Sequence, residues 1–252
     1  MSLTGKIALV TGGGTGAGAA IAQLLAEQGA CVHICGRNLE PLKKQAARNT
    51  NIIPHMCDII REEQVVALFE NIGTLDIVIA NAGAAHSAPF AKTSYDNFMA
   101  MLDVNLKGTF LTLREGAKAM LARENSQSAG RLIAIASTAA LKGYTYVAPY
   151  AAAKHGVLGM IRSIALEYAK KNITANAICP SFLDSEMTQR SIKNIAQKTG
   201  YSLQEARATL EANIPMGQLI SVESVAQAVL WLCNEHSQQV TGQAISIAGG
   251  EI

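Results

Sequence analysis

Short runs rich in β-branched residues alternate with longer stretches of helical periodicity along the whole chain. Runs that are apolar at nearly every position are typical of parallel strands buried on both faces. Between them, apolar residues recurring every three or four positions predict helices. The predicted strands are 7–10, 31–35, 52–56, 75–80, 131–136, 173–178 and 244–247; the predicted helices are 16–28, 39–48, 61–71, 96–122, 149–170 and 222–233.

This alternation implies right-handed crossovers between parallel strands. We therefore predict one α/β domain over residues 1–252: a Rossmann-type, doubly wound parallel sheet of about seven strands with helices on both faces. The polar, helix-prone segment 185–213 interrupts the alternation, and such insertions often form a lid over a ligand. A plain surface excursion is the alternative interpretation.

Composition narrows the class of protein. Hydrophobic residues make up 49% and charged residues 16% of the chain, which indicates a globular protein. The formal net charge is +2 without a basic run, so nucleic acid is not an expected partner. The sequence shows neither a signal-peptide-like start nor a run long enough to span a bilayer, so we expect a cytoplasmic protein with no membrane partner. The five cysteines lack metal-site spacing, and no metal is expected.

The first predicted strand leads directly into a cluster of glycines at residues 11–18. Glycine allows the backbone to approach a phosphate, and the start of the next helix supplies N–H donors and a positive dipole end. A plain turn would also use glycines, but the position between a first strand and a helix favours dinucleotide binding. The expected cofactor contacts here are Gly12, Gly14, Thr15, Gly16 and Gly18.

The end of the second strand bears on the choice of cofactor. Dinucleotide folds usually place an acid there to bind the ribose hydroxyls, but this chain has Gly36 followed by Arg37. A carboxylate would repel a 2′-phosphate, whereas arginine offers a charged, planar fork. We therefore predict NADP(H) rather than NAD(H); the alternative is that Arg37 is a solvated loop residue.

Three polar residues later in the chain suit proton transfer. Ser137 follows a predicted strand, and Tyr150 and Lys154 share one helix face at i and i+4. A neighbouring positive charge can lower a phenol pKa of about 10 by ~1–3 units, which would let Tyr150 exchange a proton as hydride reaches a carbonyl carbon. Ser137 would hold the substrate oxygen. The Tyr-x3-Lys spacing alone also occurs on ordinary amphipathic helices.

Taken with Asp58, Asn81-Ala82-Gly83, Asn105 and the loop after Pro180, these motifs resemble the short-chain dehydrogenase/reductase family over essentially the whole chain. The resemblance implies that Tyr150 is the general acid/base, that Lys154 binds the nicotinamide ribose and that Ser137 positions the carbonyl. Asn105 would anchor a water in the proton relay. The resemblance also implies cofactor contacts at Asp58, Ile59, Asn81, Ala82, Gly83, Tyr150, Lys154, Pro180, Leu183 and Ser185.

Some positions depart from the family pattern. Ala80 replaces a frequent asparagine, Ser181 a glycine and Ser185 a threonine, although Ser185 keeps a hydroxyl. Thr15 stands where NADP-binding members often have a basic residue, so Arg37 must discriminate between cofactors largely alone. None of these changes removes an expected catalytic group.

The substrate is expected to be a small carbonyl compound in a pocket lined by 143–147, His86, Phe90 and 182–213. The stretches 148–156 and 214–217 are similar to 3-oxoacyl-thioester and polyketide ketoreductases, which predicts NADPH-dependent reduction of a ketone linked to CoA or a carrier protein. The alternatives are an NAD(P)-dependent dehydrogenase of a small 3-hydroxy acid or cyclic alcohol, and a non-catalytic dinucleotide sensor. A sensor would not need the tyrosine hydroxyl. The resemblance also implies a homotetramer.

Overall fold

The computed structural model describes residues 2–123 and 129–252. Its strands are β1 Ile7–Thr11, β2 Cys31–Gly36, β3 Ile52–Met56, β4 Ile77–Ala80, β5 Gly130–Ile135, β6 Ile173–Pro180 and β7 Ala244–Ile247. Its α-helices are α1 Gly16–Glu27, α2 Leu39–Ala46, α3 Glu62–Ile72, α4 Tyr95–Leu102, α5 Gly108–Leu121, α6 Ala148–Tyr168, α7 Glu186–Thr199, α8 Leu203–Glu211 and α9 Val222–Leu232. Strand and helix therefore alternate as the hydrophobic pattern predicts.

The strands form one sheet in the order β3-β2-β1-β4-β5-β6-β7, and every neighbouring pair is parallel. The chain starts in the middle at β1, builds outward to β3, then returns to the other side of β1 with β4. The strand order therefore reverses between β1 and β4, where open α/β sheets form a ligand-binding crevice at their carboxyl ends. The predicted seven-stranded, doubly wound fold is confirmed.

The sheet is buried on both faces, which explains why its strands are apolar at almost every position. Leu9 of β1 belongs to a core that includes residues of α3, α5 and α6. Its neighbours Ala8 and Val10 point to the opposite face, into a core shared with α1 and α9. Because both faces are covered, the polar groups available for chemistry collect at the strand ends.

The prediction of a single helix over 96–122 is wrong near its centre. A π-helical turn, Asp103–Lys107, separates α4 from α5. Asn105 Nδ2 donates to Met101 O at 3.0 Å, and this is the carbonyl that an α-helix would pair with the Asn105 N–H. Side-chain competition of this kind widens the helix, and π-turns occur frequently at functional sites.

The segment 185–213 contains α7 and α8, which pack on a small core of their own. This core includes Ile192, Leu210 and Ile214. A parallel bridge between Leu183 and Ile220 pairs the stretches of chain on either side of the segment. The polar composition of the segment thus reflects two amphipathic helices around a minor core.

His33 and His55 lie on neighbouring strands near the edge of the sheet. Their rings stack with centroids 5.0 Å apart, and His33 Nδ1 lies 2.8 Å from His55 Nε2. Burial and the His55 charge lower the pKa of His33 to about 4, and burial also lowers the pKa of His55. These contacts are what a structural role for His33 requires.

Within the described residues, no helix has both the length and the hydropathy needed to cross a membrane. In the same part of the chain, no group of three or more His, Cys, Asp or Glu side chains could hold a metal ion.

Candidate active site

The glycine cluster forms a tight loop between β1 and α1. Gly12 and Gly16 have φ angles of 66° and 54°, in the left-handed region that favours glycine. A Cβ on Gly18 would lie 2.2 Å from Gly12 O, so a larger residue does not fit there. Gly14 packs against α2, and Thr15 is the exposed N-cap of α1. The loop therefore presents backbone at a helix N-terminus, the arrangement that suits a pyrophosphate.

Thr11 and Asn81 fix this loop to the end of β4. Thr11 Oγ1 accepts hydrogen bonds from Asn81 N at 3.0 Å and from Ala82 N at 3.1 Å. Asn81 Nδ2 donates to Thr11 O at 2.9 Å, and a Cβ on Gly12 would lie 3.0 Å from the same nitrogen. Asn81 and Ala82 thus lie beside the glycine loop at the reversal of strand order.

An exposed cation lies at the carboxyl end of β2. Arg37 directly follows β2 and is exposed. A Cβ on Gly36 would meet the Leu42 side chain only at 3.8 Å, an ordinary contact distance. Gly36 therefore places no side chain beside the guanidinium at the end of β2.

Asp58 and Ile59, the second and third residues after β3, differ in how far their side chains are exposed. Asp58 remains partly exposed, and its Oδ1 accepts from Ile60 N at 3.3 Å. Ile59 is 6% exposed, and a Cβ on Gly108 would lie 2.5 Å from Ile59 Cδ1. The Ile59 side chain therefore belongs to the core under α5, which leaves only its backbone for a cofactor contact.

Tyr150 and Lys154 lie one turn apart near the start of α6 and face the end of β5. Lys154 Nζ donates to Ile135 O at 3.0 Å and lies 5.6 Å from the centre of the Tyr150 ring. Ser137 comes two residues after Ile135 and forms a hydrogen bond with Tyr150. The structure therefore brings together three of the four predicted catalytic residues around one point.

The fourth, Asn105, is fully buried behind them. Its Nδ2 donates to Ala84 O at 2.8 Å, and its Oδ1 accepts from Ala84 N at 3.3 Å. A Cβ on Gly83 would lie 2.7 Å from Asn105 Oδ1 and 3.7 Å from Lys154 Nζ. Gly83 thus allows the loop after β4 to pass between Asn105 and Lys154.

The expected lowering of the Tyr150 pKa is wrong in direction. Burial raises the pKa of the Tyr150 phenol, and the hydrogen bond with Ser137 only partly opposes this. Burial also lowers the pKa of Lys154 to about 8. At neutral pH the phenol therefore keeps its proton and the ammonium remains mostly charged, a combination that suits donation of a proton from Tyr150.

The loop after β6 approaches the glycine loop from the other side. Pro180 ends β6, and Ser185 is the N-cap of α7. A Cβ on Gly16 would lie 3.7 Å from Ser185 Cβ, so the start of α7 lies beside the glycine loop. Leu183, between Pro180 and Ser185, is held by its bridge to Ile220.

A family model described as short chain dehydrogenase matches residues 6–196, a range that contains the glycine loop, Ser137, Tyr150 and Lys154. The chain belongs to the short-chain dehydrogenase/reductase family. The resemblance inferred from the motifs is thereby confirmed.

Named relatives within this family share nearly the whole chain. The chain is 33% identical to granaticin polyketide synthase putative ketoacyl reductase 1 of Streptomyces violaceoruber, over 97% of this chain and 92% of that protein. It is also 33% identical to a 3-oxoacyl-acyl-carrier-protein reductase of Rickettsia prowazekii, over 99% and 98%. A crystal structure of a variant actinorhodin polyketide ketoreductase with NADPH matches with a TM-score of 0.91 at 30% identity, covering 100% of this chain and 99% of that one.

Sequence reasoning missed Glu251 near the end of the chain. Its side chain is 2% exposed, and its Oε1 accepts from the Tyr144 hydroxyl at 2.6 Å and lies 3.0 Å from Lys142 Nζ. The hydroxyl of Ser181 donates to its Oε2. Tyr144 and Ser181 lie 107 and 70 positions away in sequence, so no local spacing relates them to Glu251.

A separate cavity of about 530 Å³ lies at the opposite, amino ends of the strands. Its lysine, aspartate and arginine side chains are engaged with one another or with backbone. Lys6 pairs with Asp76 at 3.3 Å, and Arg131 donates to Leu232 O and Asn234 O at 3.0 and 3.1 Å. The candidate active site therefore remains the cleft at the carboxyl ends.

Proposed function

We propose that this short-chain dehydrogenase/reductase reduces a 3-oxoacyl thioester to the 3-hydroxy product with NADPH. The observation that carries the proposal is the meeting of Ser137, Tyr150 and Lys154 at the end of β5, beside a loop suited to pyrophosphate. Relatives named as 3-oxoacyl-acyl-carrier-protein and polyketide ketoacyl reductases support this substrate class, and the neighbour solved with NADPH supports the cofactor.

Each catalytic side chain has a defined task in this proposal. NADPH supplies the hydride for the carbonyl carbon. The Ser137 hydroxyl donates a hydrogen bond to the carbonyl oxygen as negative charge develops, and Tyr150 gives that oxygen its proton. The Lys154 ammonium stabilises the phenolate that remains, because an opposite charge favours the ionised form. Asn105 is proposed to hold a water in the path that returns a proton to Tyr150.

The cofactor would lie across the reversal of strand order. The pyrophosphate would meet the glycine loop, the 2′-phosphate Arg37, the adenine Asp58 with the backbone of Ile59, and the nicotinamide end Lys154. Further contacts proposed from the resemblance come from the loops after β4 and β6, at Asn81, Ala82, Gly83, Pro180, Leu183 and Ser185.

The segment 185–213 is proposed as the lid of this site within a single domain. Its start at Ser185 lies beside the glycine loop, and its small separate core would let α7 and α8 move together. The substrate would then lie between the lid and residues 143–147.

We also propose that the enzyme is a homotetramer in the cytoplasm. Exposed apolar side chains on α5, α6 and α9 support the assembly: Phe110 is 43%, Leu166 84% and Trp231 49% exposed. Light scattering of the purified protein after size-exclusion chromatography would give a mass near four chains; a mass near one chain would overturn the assembly.

Oxidation of NADPH and NADH by the purified protein, each with acetoacetyl-CoA, tests the reaction. We expect rapid, substrate-dependent loss of NADPH and much slower loss of NADH. Turnover only with cyclic ketones, or oxidation of 3-hydroxybutyrate with NAD, would replace the substrate class. Tight NADPH binding without turnover on any of these substrates would indicate the dinucleotide sensor instead.

A further inference from the structure

We propose that Glu251 is a positioning residue for the proposed ketone reduction: its carboxylate holds the substrate loop, defined as residues 142–147, in register with Ser137. The inference rests on the proposed function for the reaction that it affects. The placement of the carboxylate follows from the structure alone.

The end of the chain is folded back onto the site. Met216 N donates to Gly249 O at 3.1 Å, and Glu251 N donates to Ala248 O at 3.1 Å. Gly249 has a φ of 57°, and a Cβ there would lie 2.6 Å from Ile214 Cγ2. The tail is therefore packed tightly on the segment that follows α8, and this packing aims Glu251 inward.

The buried carboxylate is well supplied with donors. Burial alone would raise the pKa of Glu251, but hydrogen bonds from Ser181, Tyr144 and Lys142 outweigh that effect and lower it. The side chain is therefore anionic at neutral pH. Replacing one carboxylate oxygen with an amide NH2 group would leave one of the two hydroxyl groups, of Tyr144 or of Ser181, facing a donor instead of an acceptor, which is more disruptive than losing a surface contact.

A chain of hydrogen bonds joins the carboxylate to the residue that follows the catalytic serine. The Tyr144 hydroxyl has one proton to donate. It donates this proton in the 2.6 Å hydrogen bond to Glu251 Oε1, because an ionised carboxylate oxygen can only accept. Thr138 Oγ1, 2.5 Å from the same hydroxyl, must then act as the donor. Thr138 is the residue after Ser137, so Glu251, Tyr144 and Thr138 form a chain that ends at the catalytic strand end.

The second carboxylate oxygen reaches the loop after β6. Ser181, which donates to Oε2, directly follows Pro180, and the next residue, Phe182, packs edge-on against the Tyr144 ring with centroids 6.1 Å apart. One carboxylate thus joins the substrate loop, the Ser137 strand end and the loop after β6. Loss of this link is expected to disturb carbonyl placement more than the glycine loop, because the hydrogen bonds and ion pair of the carboxylate go to Lys142, Tyr144 and Ser181.

The test compares Glu251→Gln, Tyr144→Phe and the double variant with wild type, using Glu235→Gln as a matched control. Glu235 is 79% exposed and lies on the surface. We expect Glu251→Gln and Tyr144→Phe each to lower kcat/KM for acetoacetyl-CoA by about tenfold, with the NADPH Kd within about twofold of wild type. The double variant should be no worse than the poorer single variant, because both act through one chain of hydrogen bonds.

Wild-type turnover by Glu251→Gln, or fully additive losses in the double variant, would overturn the proposal. Equal losses in NADPH affinity and turnover would also overturn it, because they indicate a general loss of folding. A second readout does not depend on the reaction: amide hydrogen exchange in residues 142–147 should quicken in Glu251→Gln and not in Glu235→Gln. Unchanged exchange would contradict the positioning role even if acetoacetyl-CoA is not the substrate.

Discussion

Replacing Arg37 with aspartate tests how the chain separates NADPH from NADH. Arg37 is exposed directly after β2, and Gly36 before it places no side chain beside the guanidinium. The substitution removes the guanidinium donors and places a carboxylate where the 2′-phosphate would lie. NADH has no such phosphate, and the new carboxylate stands where dinucleotide folds usually bind the ribose hydroxyls, so NADH should bind at least as tightly as before and the preference should shift toward NADH.

The size of the effect follows from this exposure. Two charge-assisted hydrogen bonds to an exposed guanidinium are each worth about 1.5 kcal/mol, the low end of their range, because water competes for the phosphate. Repulsion between the new carboxylate and the phosphate adds about 1 kcal/mol in a nearly aqueous environment. Together they amount to about 4 kcal/mol, or a rise in the NADPH Kd of several hundredfold.

Fluorescence titration of NADPH and NADH into wild type and Arg37→Asp measures both constants. Arg48→Asp provides the matched control, because Arg48 is also exposed but lies beyond the far end of α2. The NADPH Kd should rise for Arg37→Asp and not for Arg48→Asp. The ratio of the Arg37→Asp Kd to the wild-type Kd should be smaller at high salt, where surface charges are screened. An NADPH Kd within about threefold of wild type would refute the argument and assign phosphate recognition to another residue.

Two further substitutions probe the glycine loop and the sheet edge. Gly18→Ala should lower NADPH affinity at least about tenfold and reduce the melting temperature, because its Cβ would overlap Gly12 O and Asn81 Nδ2. Fluorescence titration measures the affinity and thermal unfolding the melting temperature. Unchanged values would contradict the close packing. The folded-state pKa of His33 is lowered from 6.5 to about 4, so the unfolded chain binds the proton first and stability falls as pH drops through this window. Urea unfolding should show that His33→Gln reduces this pH dependence by about 1 kcal/mol per pH unit, whereas an unchanged slope would assign the loss to other groups.

The architecture was predictable because the strands are buried on both faces. Runs such as that of β4 contain only apolar residues, and their regular alternation with helices leaves little choice but a parallel sheet. The π-turn was not predictable, because it depends on Asn105 taking the carbonyl of Met101 with its side chain. Periodicity records which face is apolar and does not record that competition.

The candidate site shows the same division. The spacing of Tyr150 and Lys154 and the strand end at Ser137 predicted that these groups meet, since i and i+4 share a helix face. The sign of the Tyr150 pKa shift depends on burial by residues distant in sequence, and Glu251 reaches its partners only through the tertiary fold. The family resemblance implied a cofactor contact at Ile59, and burial of its side chain in the core leaves only its backbone for that contact.

The central claim is that Tyr150 donates the proton to the reduced carbonyl. The most direct measurement is kcat for NADPH-dependent reduction of acetoacetyl-CoA by Tyr150→Phe, with the NADPH Kd determined on the same preparation. General acid catalysis contributes about 10²–10⁴-fold, so we expect kcat to fall at least about a hundredfold while the NADPH Kd stays within about threefold of wild type. Turnover close to that of wild type, with NADPH still bound, would show that another group supplies the proton and would contradict the proposed mechanism.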